Sequence, residues 1–306
     1  MDTAPRPALT AITPATVPLV DRLDTLGTQQ VRALAYAPAG DLLAVAARDG
    51  ISLHDPLTLA EHGTLQSGAM RHVGYTPDAH SAILEPAAAM SVCFNRAGTL
   101  LASGWADGTV RLWQVSDWQA LGNLTGHSDR VTGVAFAPDG RVLASASDDG
   151  TVRLWRVEDG AALATLTGHR DRVIGVAFAP DGQTLASCSD DRTIRLWRVS
   201  DGAALRTLEG HPGPVLSVAF APDGQTLASA GGLFDMTVRL WRVADLAADH
   251  AAGAGMLRAL LGANRKTLTG HNGAVWSLAF SPDGATLASG GADEAVRLWR
   301  VSDGLH

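Results

Sequence analysis

The chain has only two cysteines in 306 residues, and no apolar run approaches the roughly 20 residues that a membrane helix needs. Cys93 and Cys188 occupy positions where sibling segments carry alanine, so we expect small buried side chains rather than a disulfide. The stretch 1–18 lacks the charged and apolar regions of a secretory signal. These absences predict a soluble protein of the cytoplasm with no membrane partner.

Positive charge is not in excess either. Lysine and arginine number 24 against 31 acidic residues, which gives a net charge of -7. That balance offers no broad basic surface to a phosphate backbone, so we expect no nucleic acid partner. The sequence has no Gly-rich loop ending in Lys-Ser or Lys-Thr, no His-Glu-x-x-His and no Cys-x-x-Cys. We therefore expect no cofactor and no metal site.

A repeat dominates what is present. Four segments end in Leu-Trp-Arg-Val, at 131–157, 173–199, 215–243 and 275–301. In the first segment large apolar residues such as Val134 and Phe136 alternate along the chain, which is the period of a β-strand. Turn sequences follow, Pro-Asp-Gly at 138–140 and Asp-Asp-Gly at 148–150. With a further strand after each copy, the pattern predicts four-stranded antiparallel sheets, which stack radially into a propeller.

These residues resemble the WD-repeat family of β-propellers, over roughly residues 21–303. A Gly-His pair, a turn like Ser-Pro-Asp-Gly and an aspartate six residues before a tryptophan occur together four times. The resemblance implies that a His, a Ser, an Asp and a Trp of each blade form a hydrogen-bonded tetrad. The implied tetrads are His127, Ser145, Asp149 and Trp155; His169, Ser187, Asp191 and Trp197; His211, Ser229, Asp235 and Trp241; and His271, Ser289, Asp293 and Trp299.

Two other features of the repeats bear on the tetrads. A recurring Ser, His and Asp could suggest a hydrolase triad, but four equivalent copies favour a structural role because an active site is normally singular. The first two copies are weaker than the rest. The second, taken as Ser91 to Val115, keeps Ser103, Asp107 and Trp113 without an evident histidine, and the first has His54 at the tryptophan position.

The spacing of the repeat ends indicates the number of blades. The intervals are 59, 42, 42, 44 and 58 residues between His54, Trp113, Trp155, Trp197, Trp241 and Trp299. They predict six blades, with insertions near 66–89 and 246–265. Seven is the alternative, because Val73 to Asp78 echoes the start of a copy.

The remaining stretches complete a predicted division into an N-terminal extension, 1–20, and one propeller domain, 21–306. Met256, Leu257, Leu260 and Leu261 stand at helical spacing in the second insertion. Residues 23–26 resemble an outer strand, and we expect them to complete the last blade and close the ring.

Recurrent arginines and variable positions indicate where contacts form. Arginine recurs at one position of the third strand, where we expect pairing with carboxylates of the neighbouring blade: Arg111, Arg153, Arg195, Arg239 and Arg297. In the family, partners bind near the first valine of each copy and before the tetrad aspartate. The implied partner-binding face comprises Ile174, Leu216, Phe234, Trp276, Arg130, Arg172, Asp148 and Asp190.

Apolar and aromatic residues rimmed by charges suit the binding of a peptide or a protein loop. The leading hypothesis is therefore a non-enzymatic interaction scaffold. Packing of Phe234 and Trp276 into gaps of the ring is the alternative for that cluster. Two other functions stay open: a catalytic propeller with a central-channel site, for which His72, His80 and His250 lack metal-ligand spacing, and a sensor module of a larger signalling assembly.

Overall fold

The computed structural model describes residues 31–55, 61–65, 70–72, 84–86, 88–243 and 264–302. These ranges contain 25 strands in seven antiparallel sheets, of which six are propeller blades. The expected closing strand at 23–26, the segment from Val73 to Asp78 and the expected helix around Met256 lie outside the described residues, as does the extension 1–20.

The six blades follow one another along the chain. Blade 1 comprises β1 (Ala33–Tyr36), β2 (Leu43–Ala47), β3 (Gly50–His54) and β4 (Glu61–Leu65). A separate hairpin follows, β5 (Met70–His72) and β6 (Leu84–Pro86). Blade 2 comprises β7 (Ala89–Phe94), β8 (Leu100–Trp105), β9 (Val110–Gln114) and β10 (Ala120–Leu124). Blade 3 comprises β11 (Val131–Phe136), β12 (Val142–Ser147), β13 (Val152–Arg156) and β14 (Ala162–Leu166).

The second half of the ring repeats this order. Blade 4 comprises β15 (Val173–Phe178), β16 (Thr184–Ser189), β17 (Ile194–Arg198) and β18 (Ala204–Leu208). Blade 5 comprises β19 (Val215–Phe220), β20 (Thr226–Gly231), β21 (Val238–Arg242) and β22 (Asn264–Leu268). Blade 6 has three strands among the described residues, β23 (Val275–Phe280), β24 (Thr286–Gly291) and β25 (Val296–Arg300). The prediction of six blades is confirmed.

The register of blade 3 shows how the repeated sequence specifies a blade. Leu143 of β12 pairs with Phe136 of β11 on one side and with Trp155 of β13 on the other. The turn between β11 and β12 has Gly140 at a φ of 72°, a left-handed conformation that glycine adopts without steric cost. A β-bulge between Val131 and Gly133 shifts the register at the start of β11. The same bulge begins the first strand of blades 2, 4, 5 and 6.

The core lies between blades rather than inside any one of them. We call the side of a blade that meets the next blade its leading face and the opposite side its trailing face. Val110 and Leu112 on the leading face of blade 2 pack with Val131, Leu143 and Trp155 on the trailing face of blade 3. Four further clusters of this composition join blades 1 and 2, 3 and 4, 4 and 5, and 5 and 6. Burying one such side chain stabilises by about 1.5–3 kcal/mol, so each blade depends on its neighbours.

Candidate functional site

Blade 3 shows the geometry of the tetrad. His127 Nε2 lies 2.7 Å from Ser145 Oγ, and His127 Nδ1 lies 2.8 Å from Asp149 Oδ2. The indole N–H of Trp155 donates to the same Ser145 oxygen over 2.8 Å. Asp149 also accepts from the Thr151 hydroxyl, which fixes the carboxylate at the turn between β12 and β13. The tetrad therefore connects the segment before β11 with the second strand, β12, and the third strand, β13, of the same blade.

Equivalent hydrogen bonds occur in blades 4, 5 and 6. His169 bridges Ser187 and Asp191, while His211 bridges Ser229 and Asp235, and His271 bridges Ser289 and Asp293. Trp197, Trp241 and Trp299 donate to the serine of their own blade. Each serine Oγ is thus bonded by two partners and buried in its blade, where it cannot reach a substrate. This arrangement suits a structural role and not nucleophilic catalysis.

Protonation of the tetrads follows from their burial. Burial lowers the pKa of His127, His169 and His211, although the aspartate on each ring opposes this shift. The histidines are therefore neutral in the folded chain near neutral pH. For Asp191, burial opposes the charge, but hydrogen bonds from Thr193, the Arg170 backbone and His169 outweigh it and lower the pKa to about 2.

Blade 2 replaces the missing histidine by a residue that sequence reasoning overlooked. The Trp105 indole N–H donates to Ser103 Oγ over 2.8 Å, and Trp113 donates to the same oxygen over 2.9 Å. Asp107 binds Arg111 instead of a histidine, with 2.8 Å between Oδ2 and Nη2. The Arg111 guanidinium also lies 4.4 Å from the centre of the Trp105 ring. The available signal was a tryptophan two residues after the serine, since residues i and i+2 share a strand face.

The register of blade 2 corrects its predicted start. Ala89 pairs with Trp105 in the way that Val131 pairs with Ser147, so this copy begins at Ala89 and not at Ser91. Ala89 stands where the four strong copies have valine, which had hidden that alignment. In blade 1, His54 Nε2 lies 2.8 Å from Ser52 Oγ.

Three of the five third-strand arginines pair with an aspartate of their own blade, which corrects the prediction of pairing across blades for these three. Nitrogen to carboxylate distances are 2.8 Å for Arg111 with Asp107 and 4.0 Å for both Arg239 with Asp235 and Arg297 with Asp293. Residues two apart on a β-strand point to the same face. Each of these arginines therefore lies on the same face as the tryptophan two residues after it, beside the tetrad of its own blade.

In blade 3 the third-strand arginine also lies beside the tryptophan of its own blade. The Arg153 guanidinium lies 6.0 Å from the Trp155 ring centre. Gly126, before the tetrad histidine, has a φ of 156°, which residues with a side chain rarely adopt, and a methyl group there would also lie 2.7 Å from the flexible end of Arg153.

In blades 2 to 6 a backbone hydrogen bond brings the predicted interaction positions to one end of the blade. The residue before β11 accepts from the turn after β12, with 2.9 Å between Asp148 N and Arg130 O. Asp190 N donates to Arg172 O over 3.0 Å in blade 4. In blade 5 the equivalent donor is Gly232, so Phe234 lies beyond this bond, in the two-residue expansion of the turn.

The apolar positions differ in exposure. Phe234 is 87% exposed, with a φ of 74°, and Trp276 is 59% exposed. Leu216 is half-buried against Gly232, where a methyl group would lie 3.1 Å from its Cδ1 atom. Ile174 is also half-buried, and it packs on the core between blades 4 and 5. Phe234 and Trp276 are therefore the members of this set that are most available to a partner.

The charged positions form a cluster across blades 3 and 4. Arg172 Nε donates to Asp190 Oδ2 over 2.8 Å, and this hydrogen bond raises the pKa of Arg172. Burial raises the pKa of Asp148 in blade 3. The positive charge of Arg172 in blade 4 is near enough to oppose that rise. Arg130 is exposed at the same end of blade 3. The cluster presents both signs of charge rather than a phosphate-binding surface.

The described residues contain no group of three His, Cys, Asp or Glu side chains that could hold a metal ion. Burial raises the pKa of the free thiols of Cys93 and Cys188 to about 12, which makes both unreactive near neutral pH. The part of the chain that the structure describes contains no helix long and apolar enough to cross a bilayer.

Short segments of the chain are similar to known proteins. Small ribosomal subunit protein RACK1 of Glycine max is 52% identical over 40 residues, 13% of this chain and 12% of that protein. Eukaryotic translation initiation factor 3 subunit I of Phaeosphaeria nodorum is 50% identical over 42 residues, 13% of each chain. Probable cytosolic iron-sulfur protein assembly protein Ciao1 of Anopheles gambiae is 53% identical over 38 residues, 12% of this chain and 11% of that protein. Each match thus spans about one blade.

The family model described as WD domain, G-beta repeat matches five segments, which together cover more than half of the chain. The matched residues are 74–114, 118–156, 160–198, 202–242 and 262–300. Each of the last four begins near the outer strand of one blade and ends in the third strand of the next, which is the period that the structure shows. With six antiparallel blades and the repeated His-Ser-Asp-Trp hydrogen bonds, the chain belongs to the WD domain, G-beta repeat family.

Proposed function

We propose that this chain is a non-enzymatic scaffold of the cytoplasm that binds a peptide or a protein loop at the end of the propeller that carries Phe234. The observation that carries the proposal is Phe234 itself. A phenylalanine that is 87% exposed gains little from the fold, and its φ of 74° strains an L side chain. A residue that stabilises the fold so little is better explained by contact with a partner.

Neighbouring residues support the same use of this surface. Leu233 is also exposed, so two large apolar side chains share the expanded turn. Trp276 belongs to the next blade, and the Arg172 and Asp190 pair supplies charge at the same end of blade 4. An aromatic anchor with a charged rim is typical of peptide-binding hot spots, where truncating the anchor costs about 2 kcal/mol or more.

The relatives provide coarser support. Their names describe a ribosomal subunit protein, a subunit of an initiation factor and a cytosolic iron-sulfur protein assembly protein. Each name refers to an assembly with other macromolecules. Family membership favours protein partners over catalysis, and the buried tetrad serines agree with that. A role as a sensor module of a larger signalling assembly is compatible with this proposal.

A displayed library of random peptides, panned against the immobilised chain, would test the proposal. Peptides selected on the wild type should bind Phe234→Ala about 30-fold more weakly, since about 2 kcal/mol corresponds to that factor. Leu121→Ala is the matched control, because Leu121 is 52% exposed on an outer strand away from this turn. Unchanged affinity for Phe234→Ala, or an equal loss for Leu121→Ala, would contradict the proposed surface. Equal melting temperatures of the three proteins are the control for folding.

A further inference from the structure

Blade 6 has an apolar leading face that none of the other five described blades covers. Val296 and Leu298 of β25 are 76% and 36% exposed. Their counterparts in blade 3, Val152 and Leu154, are 0% and 1% exposed because blade 4 packs on them. The same repeated sequence therefore buries these side chains in one blade and leaves them in solvent in another.

Blade 1 has an open trailing face. Val31, Leu34 and Tyr36 are 47%, 57% and 61% exposed. Val131, the counterpart of Val31 in blade 3, is fully buried against blade 2. The first and last blades thus expose complementary halves of the joint that recurs between all other blades.

Local spacing leads to the same conclusion. A methyl group on Gly104 of blade 2 would lie 2.6 Å from Val131 of blade 3, whereas one on Gly290, its counterpart in blade 6, would meet nothing within 4 Å. Among the described residues, the first strands of successive blades pack side by side from β1 to β23, but β23 does not pack on β1 in this way. Six described blades therefore share five apolar joints.

Neither the predicted strand at 23–26 nor the sequence of residues 1–30 suits the cover that both faces need. A strand that pairs with the edge of β25 extends the sheet in its own plane, so the predicted strand at 23–26 would leave the leading face open. Residues 1–30 carry four prolines, at 5, 7, 14 and 18, and no Asp-Gly turn, so their sequence is unlike a set of antiparallel strands. A second copy cannot cover both faces with one blade, because every blade of that copy is already covered on at least one side.

We propose that the opening between blades 6 and 1 is a docking site for a β-sheet of a partner polypeptide, which enters as a seventh blade. The partner sheet must be apolar on both faces and have at least three antiparallel strands. Toward Val296 it presents large residues such as the valine, leucine and tryptophan of a trailing face. Toward Leu34 it presents a valine and a leucine like those on the leading face of the other blades. This surface differs from the end of the propeller that carries Phe234, and the inference does not depend on the proposed function.

The test uses one repeat of the chain as the probe. A copy of residues 161–202 is appended after Gly304, where Val-Ser-Asp-Gly at 301–304 repeats 199–202. One such period supplies an outer strand for blade 6 and three strands of a further blade. We expect the melting temperature to rise by about 5 °C or more and amide exchange in β1 and β25 to slow about 10-fold. Unchanged exchange and an unchanged melting temperature would overturn the proposal.

Charged variants show whether the opening itself binds the added blade. In the extended chain, Val296→Asp and Leu34→Asp should each abolish the rise in melting temperature. Leu163→Asp should not, since Leu163 is a 44% exposed outer-strand residue of blade 3. In the unmodified chain the first two changes should shift the melting temperature by no more than about 2 °C, as expected for exposed sites. Protection of Tyr36 from hydroxyl-radical labelling in the unmodified chain would show that the ring closes without a partner, and would refute the inference.

Discussion

Replacing Asp191 with alanine removes the carboxylate that anchors the tetrad of blade 4. Its oxygens lie 2.8 Å from His169 Nδ1, 2.7 Å from the Thr193 hydroxyl and 3.0 Å from the Arg170 backbone nitrogen. The Asp191→Ala substitution leaves the turn between β16 and β17 in place but deprives these three donors, and the Thr193 backbone N–H, of their acceptor.

Burial decides the magnitude of the effect. The His169 side chain is only 1% exposed, so its ring N–H cannot turn to water when the carboxylate is gone. An unsatisfied buried donor costs about 1–3 kcal/mol. The Arg170 N–H lies at an exposed position, where water replaces most of the lost bond. We therefore expect the free energy of unfolding to fall by about 2–3 kcal/mol.

Urea denaturation followed by tryptophan fluorescence measures this loss, and Asp181→Ala is the matched control. Asp181 is an exposed turn aspartate in the same blade, whose carboxylate accepts from the Gln183 backbone N–H over 2.9 Å. The control should lose no more than about 1 kcal/mol. A loss for Asp191→Ala equal to that of the control would refute the argument that buried tetrads stabilise the blades.

Three further predictions concern other parts of the ring. Trp105→Phe removes the indole N–H to Ser103 and part of a fully buried ring, and should lower the free energy of unfolding in urea by about 2 kcal/mol or more. Phe234→Gly relieves the left-handed strain, and should raise the melting temperature or leave it unchanged while peptide binding is lost; a lower melting temperature would contradict this. Acid should weaken the fold in two steps of a pH series of unfolding midpoints. Because folding lowers the pKa of His169, its contribution is lost as the pH falls below 6.5; that of Asp191 is lost between 3.8 and about 2.

The repeated segments predicted their own strands and turns because each position has the same neighbours within its own blade in every strong copy. Val134 and Phe136 indicated the strand period, and the turn at 138–140 indicated an antiparallel connection. The spacing of the tryptophans predicted six blades. These features depend on contacts within one period of the chain or between adjacent periods, which the sequence displays four times.

Prediction was poorer where a copy departs from the repeat. The sequence of blade 2 has no histidine for the tetrad, and only the fold shows Trp105 donating to Ser103. The start of this copy was placed two residues too late, at Ser91, because Ala89 stands where the four strong copies have valine. The prediction of pairing across blades was wrong for Arg111, Arg239 and Arg297, since the strand pattern alone does not say which carboxylate a side chain meets.

The sequence by itself determined the strand period, the turns and the number of blades, because these follow from local spacing and side-chain chemistry. The tetrads were implied by the resemblance of the repeats to the WD-repeat family. The tertiary structure decided how much of each repeated side chain is exposed. Val152 and Val296 occupy the same position of the repeat, yet one is buried and the other is 76% exposed. The physical reason is that burial in a propeller comes from the adjacent blade, so identical residues differ wherever the succession of blades ends.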